Sequence, residues 1–341
     1  MLEAGAVITL EAGSYRLREP LAGSAYGVVW GADSLFGGPR VALKLINRQQ
    51  MERAHPEQRE RWSASAAREI DFLRSLEPWD ERHIVRLLDC GVHESLPVMA
   101  LELLDGDLGK HVARERSAGR AIAIGQTLDW LAQINQALAK VHQYGWRYLD
   151  LKPSNVLLDA RRGSVKLADF GTNRLLGDRA PHSYAGTANW QAPEQFFPAA
   201  GEDYLTDARS DYFALGAMFY FLVTGGLLLR FCRDCGQAYR DHQAAGAALL
   251  RTRHGGAIPP TLHDDEAALF VHRIEGGSET TWCPTGASTT AGGAQALVLL
   301  RALLNVDPAA RPRHAISISR MIADVRAYTL STRVAALRSF A

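Results

Sequence analysis

Short apolar runs separated by turn residues open the chain. Over 7–46 they predict β-strands, with Phe36-Gly37-Gly38-Pro39 turning between Val28-Val29-Trp30 and Val41-Ala42-Leu43. The period then lengthens: Trp62, Ala66, Ile70 and Leu73 recur at helical spacing and predict a helix over about 57–76. Two more short strands are expected around 84–88 and 98–103. After Asp105-Gly106-Asp107 the pattern turns mainly helical, and Trp130, Ile134, Leu138 and Val141 fall on one face of a helix that ends near Tyr144-Gly145. The stretch 212–223 is apolar all round, which predicts a helix at the centre of a core, closed by Gly225-Gly226. A boundary near 104–107 therefore separates a strand-rich part from a helical part, with a cleft expected between them, a preferred kind of ligand site.

Chemistry concentrates in Asp150-Leu151-Lys152-Pro153-Ser154-Asn155-Val156-Leu157-Leu158 and Val165-Lys166-Leu167-Ala168-Asp169-Phe170-Gly171. These read as a hairpin of two apolar strands around 159–163, which returns the chain and brings Asn155 and Asp169 to its open end. Two oxygen donors suit magnesium, which keeps several waters and takes one or two protein ligands plus substrate phosphates. Asp150 lies just before, where it can receive a hydroxyl proton.

The two segments resemble the catalytic loop and D-F-G segment of the eukaryotic-type serine/threonine protein kinase superfamily. The likeness continues in order. Val41-Ala42-Leu43-Lys44 resembles the strand lysine motif, and Arg68-Glu69-Ile70 sits where its helical glutamate lies. Ala192-Pro193-Glu194 resembles the A-P-E element, and Asp211-Tyr212-Phe213-Ala214-Leu215-Gly216 the D-x-x-x-x-G of the large helix. Asp307-Pro308-Ala309-Ala310-Arg311-Pro312 resembles the final subdomain, whose arginine pairs with the A-P-E glutamate. One such match is weak; the ordered set is specific.

The resemblance implies an α+β, bilobal protein-kinase fold. A small β-rich lobe with one main helix would occupy 1–104, and a larger, mostly helical lobe 105–328. The second lobe would carry a Cys-containing insertion at about 226–293, and a short helical tail would follow at 329–341 with Val334 and Leu337 on one side. The implied activity is ATP- and Mg²⁺-dependent transfer of the γ-phosphoryl group to Ser/Thr hydroxyls of a protein substrate. Asp150 would be the base, Lys152 would offset charge at the γ-phosphate, Lys44 would hold the α/β-phosphates against Glu69, and Asn155 and Asp169 would hold the metal. Lys152, two residues after the aspartate, favours Ser/Thr over Tyr as acceptor. Val29 and Ala42 would cover the adenine, with Leu101 as the gatekeeper-type residue and Glu102 and Leu103 on the hinge; plain core roles are the alternative for these. Thr187, in Gly186-Thr187-Ala188-Asn189-Trp190, resembles the threonine that contacts the catalytic aspartate and lysine, against a loop threonine with only a local turn bond.

Composition adds limits. At 341 residues and a formal charge of +1, the chain can bury a large core and carries no global field that points to nucleic acid or membrane. A hydrophobic fraction of 47% with 22% charged residues is that of an ordinary globular protein. The amino terminus lacks a basic stretch followed by an apolar one, and 212–223 is too short to cross a bilayer, so a cytoplasmic protein without a membrane span is expected.

Three features depart from the family pattern. The glycine-rich loop is degenerate: in Leu21-Ala22-Gly23-Ser24-Ala25-Tyr26-Gly27-Val28-Val29, Ala22 and Ser24 stand where the first two glycines belong, unless a gap restores Gly23. Weakened nucleotide affinity is expected, because backbone amides must approach phosphate closely there. This loop is also what favours the alternative reading, a pseudokinase scaffold or binding protein that has kept the fold. Second, Tyr148-Leu149 replaces the usual H-R pair, and leucine cannot receive a phosphate from Ser183, Tyr184 or Thr187, so the usual arginine-based switch is not expected. Third, Cys232-Arg233-Asp234-Cys235-Gly236 resembles half of a zinc ribbon. With Cys283 and one of His242, His254, His263 or His272 it could hold a structural Zn²⁺; free thiols or a redox pair are the other readings.

Overall fold

The computed structural model describes residues 2–23, 27–53, 55–178, 186–199, 203–277 and 290–339. It divides into two compact units, Met1–Asp105 with Lys166–Asn173, and Gly106–Val165 with Arg174–Ala341.

The first unit is built on strands β1 (Val7–Thr9), β2 (Ser14–Gly23), β3 (Gly27–Ser34), β4 (Val41–Ile46), β5 (Leu87–His93) and β6 (Leu96–Glu102), in the order β1-β2-β3-β4-β6-β5. Helices α1 (Arg48–Arg53) and α2 (Pro56–Ser75) lie between β4 and β5 in the chain. Alternation along β4 sorts its side chains: Val41, Leu43 and Leu45 enter a core with Ile8, Leu10, Tyr15, Leu17, Val98 and Ala100, while Ala42 and Lys44 take the opposite face. The sheet curls until its far strands meet. The Glu11 amide donates to the Cys90 carbonyl at 3.1 Å, and the buried Asp89 carboxylate accepts from the Ala12 amide at 3.0 Å and the Tyr15 hydroxyl at 2.9 Å. That closure protects edges that would otherwise offer unpaired backbone groups. The helix α2 takes Pro56 in its first turn, where a missing amide costs nothing, and stops three residues before Pro78. The expected strand at 84–88 begins only at Leu87; Ile84 instead makes a parallel bridge to Leu167.

The second unit contains α3 (Leu108–Ser117), α4 (Ile124–Gln143), β7 (Trp146–Arg147), β8 (Val156–Asp159), β9 (Ser164–Leu167) and β10 (Arg174–Leu175), with β9 running on into the first unit. There follow α5 (Pro193–Phe196), α6 (Ala208–Val223), α7 (Arg230–His242), α8 (Ala245–Arg253), α9 (Asp264–Ile274), α10 (Ala291–Leu303) and α11 (Ala315–Ser339). As the apolar pattern predicts, α6 is buried almost throughout, from Ser210 to Tyr220. Asp207 caps its first turn by accepting the Arg209 amide at 2.7 Å, and Gly225 and Gly226 end it at φ +68° and +101°. Trp130, Ile134, Leu138 and Val141 of α4 are buried, and the Trp130 indole donates to the Gly163 carbonyl in the β8–β9 turn at 3.1 Å.

Much of the stretch 226–293 is regular helix, α7 to α9, with 278–289 outside the described residues. One expectation needs correction. The terminal tail is no separate helix: α11 runs unbroken from Ala315 to Ser339, and the side chains of Val334 and Leu337 lie outside the description. Among the described residues no helix is long and apolar enough to cross a membrane.

Candidate active site

The first unit gathers one cation and two carboxylates. Lys44 points from the polar face of β4, and its ammonium donates to both Glu69 oxygens, at 2.9 and 2.6 Å, and to Asp169 Oδ1 at 2.7 Å. Glu69 is 1% exposed. Burial pulls the Lys44 ammonium down, but the charges of Asp169 and Glu69 outweigh it and leave its pKa raised, so it stays protonated. Asp169 reaches this group because Leu167 is pinned by backbone bonds, donating to the His83 carbonyl at 2.8 Å and accepting from the Val85 amide at 2.9 Å. Its own backbone takes φ +62°, which turns the chain within the D-F-G segment.

Two contacts fasten that segment to α2 on either side of Glu69. Phe170, fully buried, packs its ring 4.7 Å from that of Phe72, and the Ser65 hydroxyl donates to the Gly171 carbonyl. A side chain at Gly171 would lie 2.8 Å from Ser65 Oγ, so the residue type follows from the close approach. Strand register brings the candidate adenine-facing residues to the same face as Lys44. Val29 pairs with Lys44, and Leu101 pairs with Ala42; directly opposed residues share a face.

Glu102 is differently employed. Its carboxylate accepts from the Arg86 amide at 2.8 Å and from the buried Lys166 ammonium at 2.5 Å, so its side chain serves the fold and only its backbone could meet a nucleotide. No local pattern marks Lys166 for this role, since its partner lies 64 positions away in sequence. Leu103 is half-buried beside it. Of the glycine-loop residues, Ala22 pairs with Val29, Gly23 with Val28 and Gly27 with Ile46; Ser24 lies outside the described residues.

The second unit holds a closed triangle. Lys152 Nζ donates to Asp150 Oδ2 at 2.7 Å and to Thr187 Oγ1 at 2.8 Å, while the Thr187 hydroxyl donates to Asp150 Oδ1 at 2.7 Å. The Asn155 amide nitrogen donates to the Asp150 carbonyl and to its Oδ2, both at 3.0 Å. With the nitrogen so committed, the amide oxygen is what Asn155 can offer a cation. An amide oxygen here and the half-exposed Asp169 carboxylate in the first unit are hard donors of the kind magnesium takes.

Asp211, at 1% exposure on α6, fixes the backbone that carries Asp150. It accepts the Tyr148 amide at 2.9 Å and the Leu149 amide at 2.7 Å, and its Oδ2 lies 2.8 Å from His142 Nε2. Leu149 has φ +66°, an unusual value for leucine, and its carbonyl is engaged by the Gln195 side chain at 2.9 Å. Further along, Arg311 grips Glu194 through two parallel bonds of 2.7 and 2.8 Å. Ser210 donates to the same glutamate at 2.7 Å.

The cysteine pair does not form a ribbon. Cys232 and Cys235 lie on the inner side of α7, each 1% exposed, and burial pushes both thiols up. Cys283 lies outside the described residues, and among the described residues no cluster of three or more His, Cys, Asp or Glu could hold a metal ion. The zinc reading gains no support.

The model of the protein kinase domain matches residues 17–321, and the chain belongs to the protein kinase family. It is 30% identical over 228 residues to serine/threonine-protein kinase Pkn1 of Myxococcus xanthus, covering 65% of this chain and 30% of that one. A "Probable serine/threonine-protein kinase" of Streptomyces coelicolor is 32% identical over 221 residues, covering 62% and 30%. Cyclin-dependent kinase 20 of Danio rerio is 30% identical over 207 residues, covering 60% and 55%. The chain thus spans between about a third and just over half the length of these relatives.

Proposed function

We propose that this chain is an ATP- and Mg²⁺-dependent serine/threonine protein kinase. The observation that carries the reading is the Asp150–Lys152–Thr187 triangle, in which a carboxylate 6% exposed is oriented by an ammonium and a hydroxyl. Asp150 accepts the proton of the substrate hydroxyl. Lys152 offsets charge that develops on the transferred group, and Thr187 holds both in register. Lys44, kept extended by Glu69, holds the phosphates of the nucleotide, whose base packs on Val29, Ala42 and Leu101. Asn155 and Asp169 would hold the magnesium, which neutralises phosphate charge when bound. Relatives named as serine/threonine kinases support the acceptor class. Its acceptor is a Ser or Thr hydroxyl of a protein, and its control does not use the usual switch from an activation-loop phosphate to an arginine.

Incubation with labelled ATP and magnesium tests it, comparing the native chain with Lys44→Met and Asp150→Asn. Label on the chain or on a generic protein acceptor, absent from both variants, is the expected result. Label that persists in both variants, or none from the native chain, would leave a scaffold that has kept the fold, the reading that Ala22 and Ser24 favour.

A further inference from the structure

Arg147 is a cation in an unfavourable place. It is 2% exposed, and it sits in β7 directly opposite Arg174 of β10, a pairing of like charges that opposes the ladder. Burial depresses its pKa, with the Arg174 charge adding to the effect. The acids around it compensate only in part: the charges of Asp178, Asp211 and Asp207 oppose that depression, but none of these carboxylates bonds to it, and that of Asp178 pairs with Arg174 at 3.0 Å. The Arg147 side chain donates instead to two backbone carbonyls, Thr206 O at 2.6 Å and Asp178 O at 2.9 Å, and its Nε has no partner among the described residues. An arginine buried on such terms is costly, and apolar residues would pack there more cheaply.

What the arrangement accomplishes is visible from the two acceptors. Asp178 lies just after β10, and Thr206 immediately precedes Asp207, the cap of α6. One guanidinium therefore ties together both ends of the stretch 178–206, which contains Thr187 and Ala192-Pro193-Glu194. Two residues away, position 149 holds a buried leucine that can bind no phosphate. We propose that Arg147 is a positioning residue: its bonds to the carbonyls of Asp178 and Thr206 clamp this stretch, so that Thr187 stays beside Asp150 without a phosphate on the segment. The inference rests on the kinase reading and names the form of control that goes with it.

The test uses the full chain in three forms. These are protein freed of phosphate by a broad phosphatase and checked by intact mass, the double variant Ser183→Ala/Tyr184→Phe, and Arg147→Met, with Arg147→Lys in reserve should the methionine variant fail to fold. Initial rates on a peptide acceptor and amide hydrogen exchange over 176–206 are read for each. We expect the phosphate-free and double-variant proteins to keep kcat within about twofold of the untreated chain. Arg147→Met should lose about tenfold or more in kcat, with the KM for ATP changed less than about threefold, since the proposed ATP-holding residues Lys44 and Glu69 are untouched. Exchange should quicken across 176–206 and not in β4, and Arg147→Lys should fall between the two because an ammonium cannot span both carbonyls. Loss of activity on removing phosphate, or native exchange and native rates in the position-147 variants, overturns the clamp. If no form transfers phosphate the kinase reading fails, and the exchange measurement still decides the clamp.

Discussion

Gly186 meets Leu149 backbone to backbone: a side-chain carbon at Gly186 would stand 2.6 Å from the Leu149 carbonyl oxygen, and the glycine has φ +99°. This approach delivers Thr187, the next residue, to Asp150, the residue after Leu149. Gly186→Ala should therefore do two kinds of harm, straining a backbone conformation that side chains disfavour and pushing apart two backbone segments that cannot yield cheaply. We expect kcat to fall about tenfold or more while the KM for ATP stays near native, with Tm lowered by a few degrees. Native kinetics in a folded alanine variant would remove Thr187 from the proposed mechanism.

The bond between Glu194 and Arg311 makes a second prediction, on stability. The Arg311 side chain is wholly buried, the pair is bidentate, and the guanidinium also donates to the Arg209 carbonyl at 2.9 Å and lies 5.1 Å from the Phe213 ring centre. Breaking a buried pair by removing one partner costs about 3–5 kcal/mol, because the other charge is left uncompensated. Glu194→Gln and Arg311→Met should each lower the urea midpoint clearly, and the double variant should lose less than the sum. Additive losses would mean that the two residues act independently.

Alkaline stability gives a third. Burial, then the hydrogen bond to Asp89 and its charge, raise the Tyr15 phenol from 10.0 to about 12. The folded chain thus holds a proton that the unfolded chain releases, so this contribution is complete below pH 10 and disappears as pH climbs toward about 12. The difference in stability between the native chain and Tyr15→Phe should be constant up to about pH 9 and shrink above it. Thermal melts at stepped pH decide the matter; a gap of constant size up to pH 12 would show that the phenol does not titrate with unfolding.

How far the sequence announced these features depends on their range. Lys44, Glu69, Asp150, Asn155, Asp169 and Thr187 are each set in a short motif, and the strand and helix periods around them are strong, so their elements were legible. The residues missed act at long range in sequence. Asp89, which closes the sheet on Tyr15 and Ala12, has no local pattern to mark it, and Lys166 finds Glu102 across 64 positions. Arg147 carries no local signal, because nothing near it in sequence says that its partners are carbonyls at 178 and 206. Cys232 and Cys235 misled for the reverse reason: a C-x-x-C spacing serves a metal loop and the inner face of a helix equally well, and only burial separates the two.

Ser65 carries the last prediction. It stands one helical turn before Glu69 on α2, and its hydroxyl is bonded to the carbonyl of Gly171, while Phe72 meets Phe170 from the other side of the glutamate. The helix that supplies Glu69 to Lys44 and the segment that supplies Asp169 to the same ammonium are thereby held as one piece. Loss of a single neutral hydrogen bond costs only about 1 kcal/mol of stability, so Ser65→Ala should melt near the native temperature. Its effect should fall on alignment: phosphoryl transfer slower by about fivefold, recovered by Ser65→Thr, whose hydroxyl can make the same bond, and lost almost entirely in Ser65→Asp. The aspartate brings a third carboxylate to a place where a side chain on Gly171 would already lie 3.6 Å from Asp169 Oδ1 and 3.7 Å from Glu69 Oε2, so like charges would oppose the arrangement around Lys44. Equal rates in the alanine and threonine variants would mean that the hydroxyl only fills space, and that Phe72 and Phe170 are enough to set the geometry.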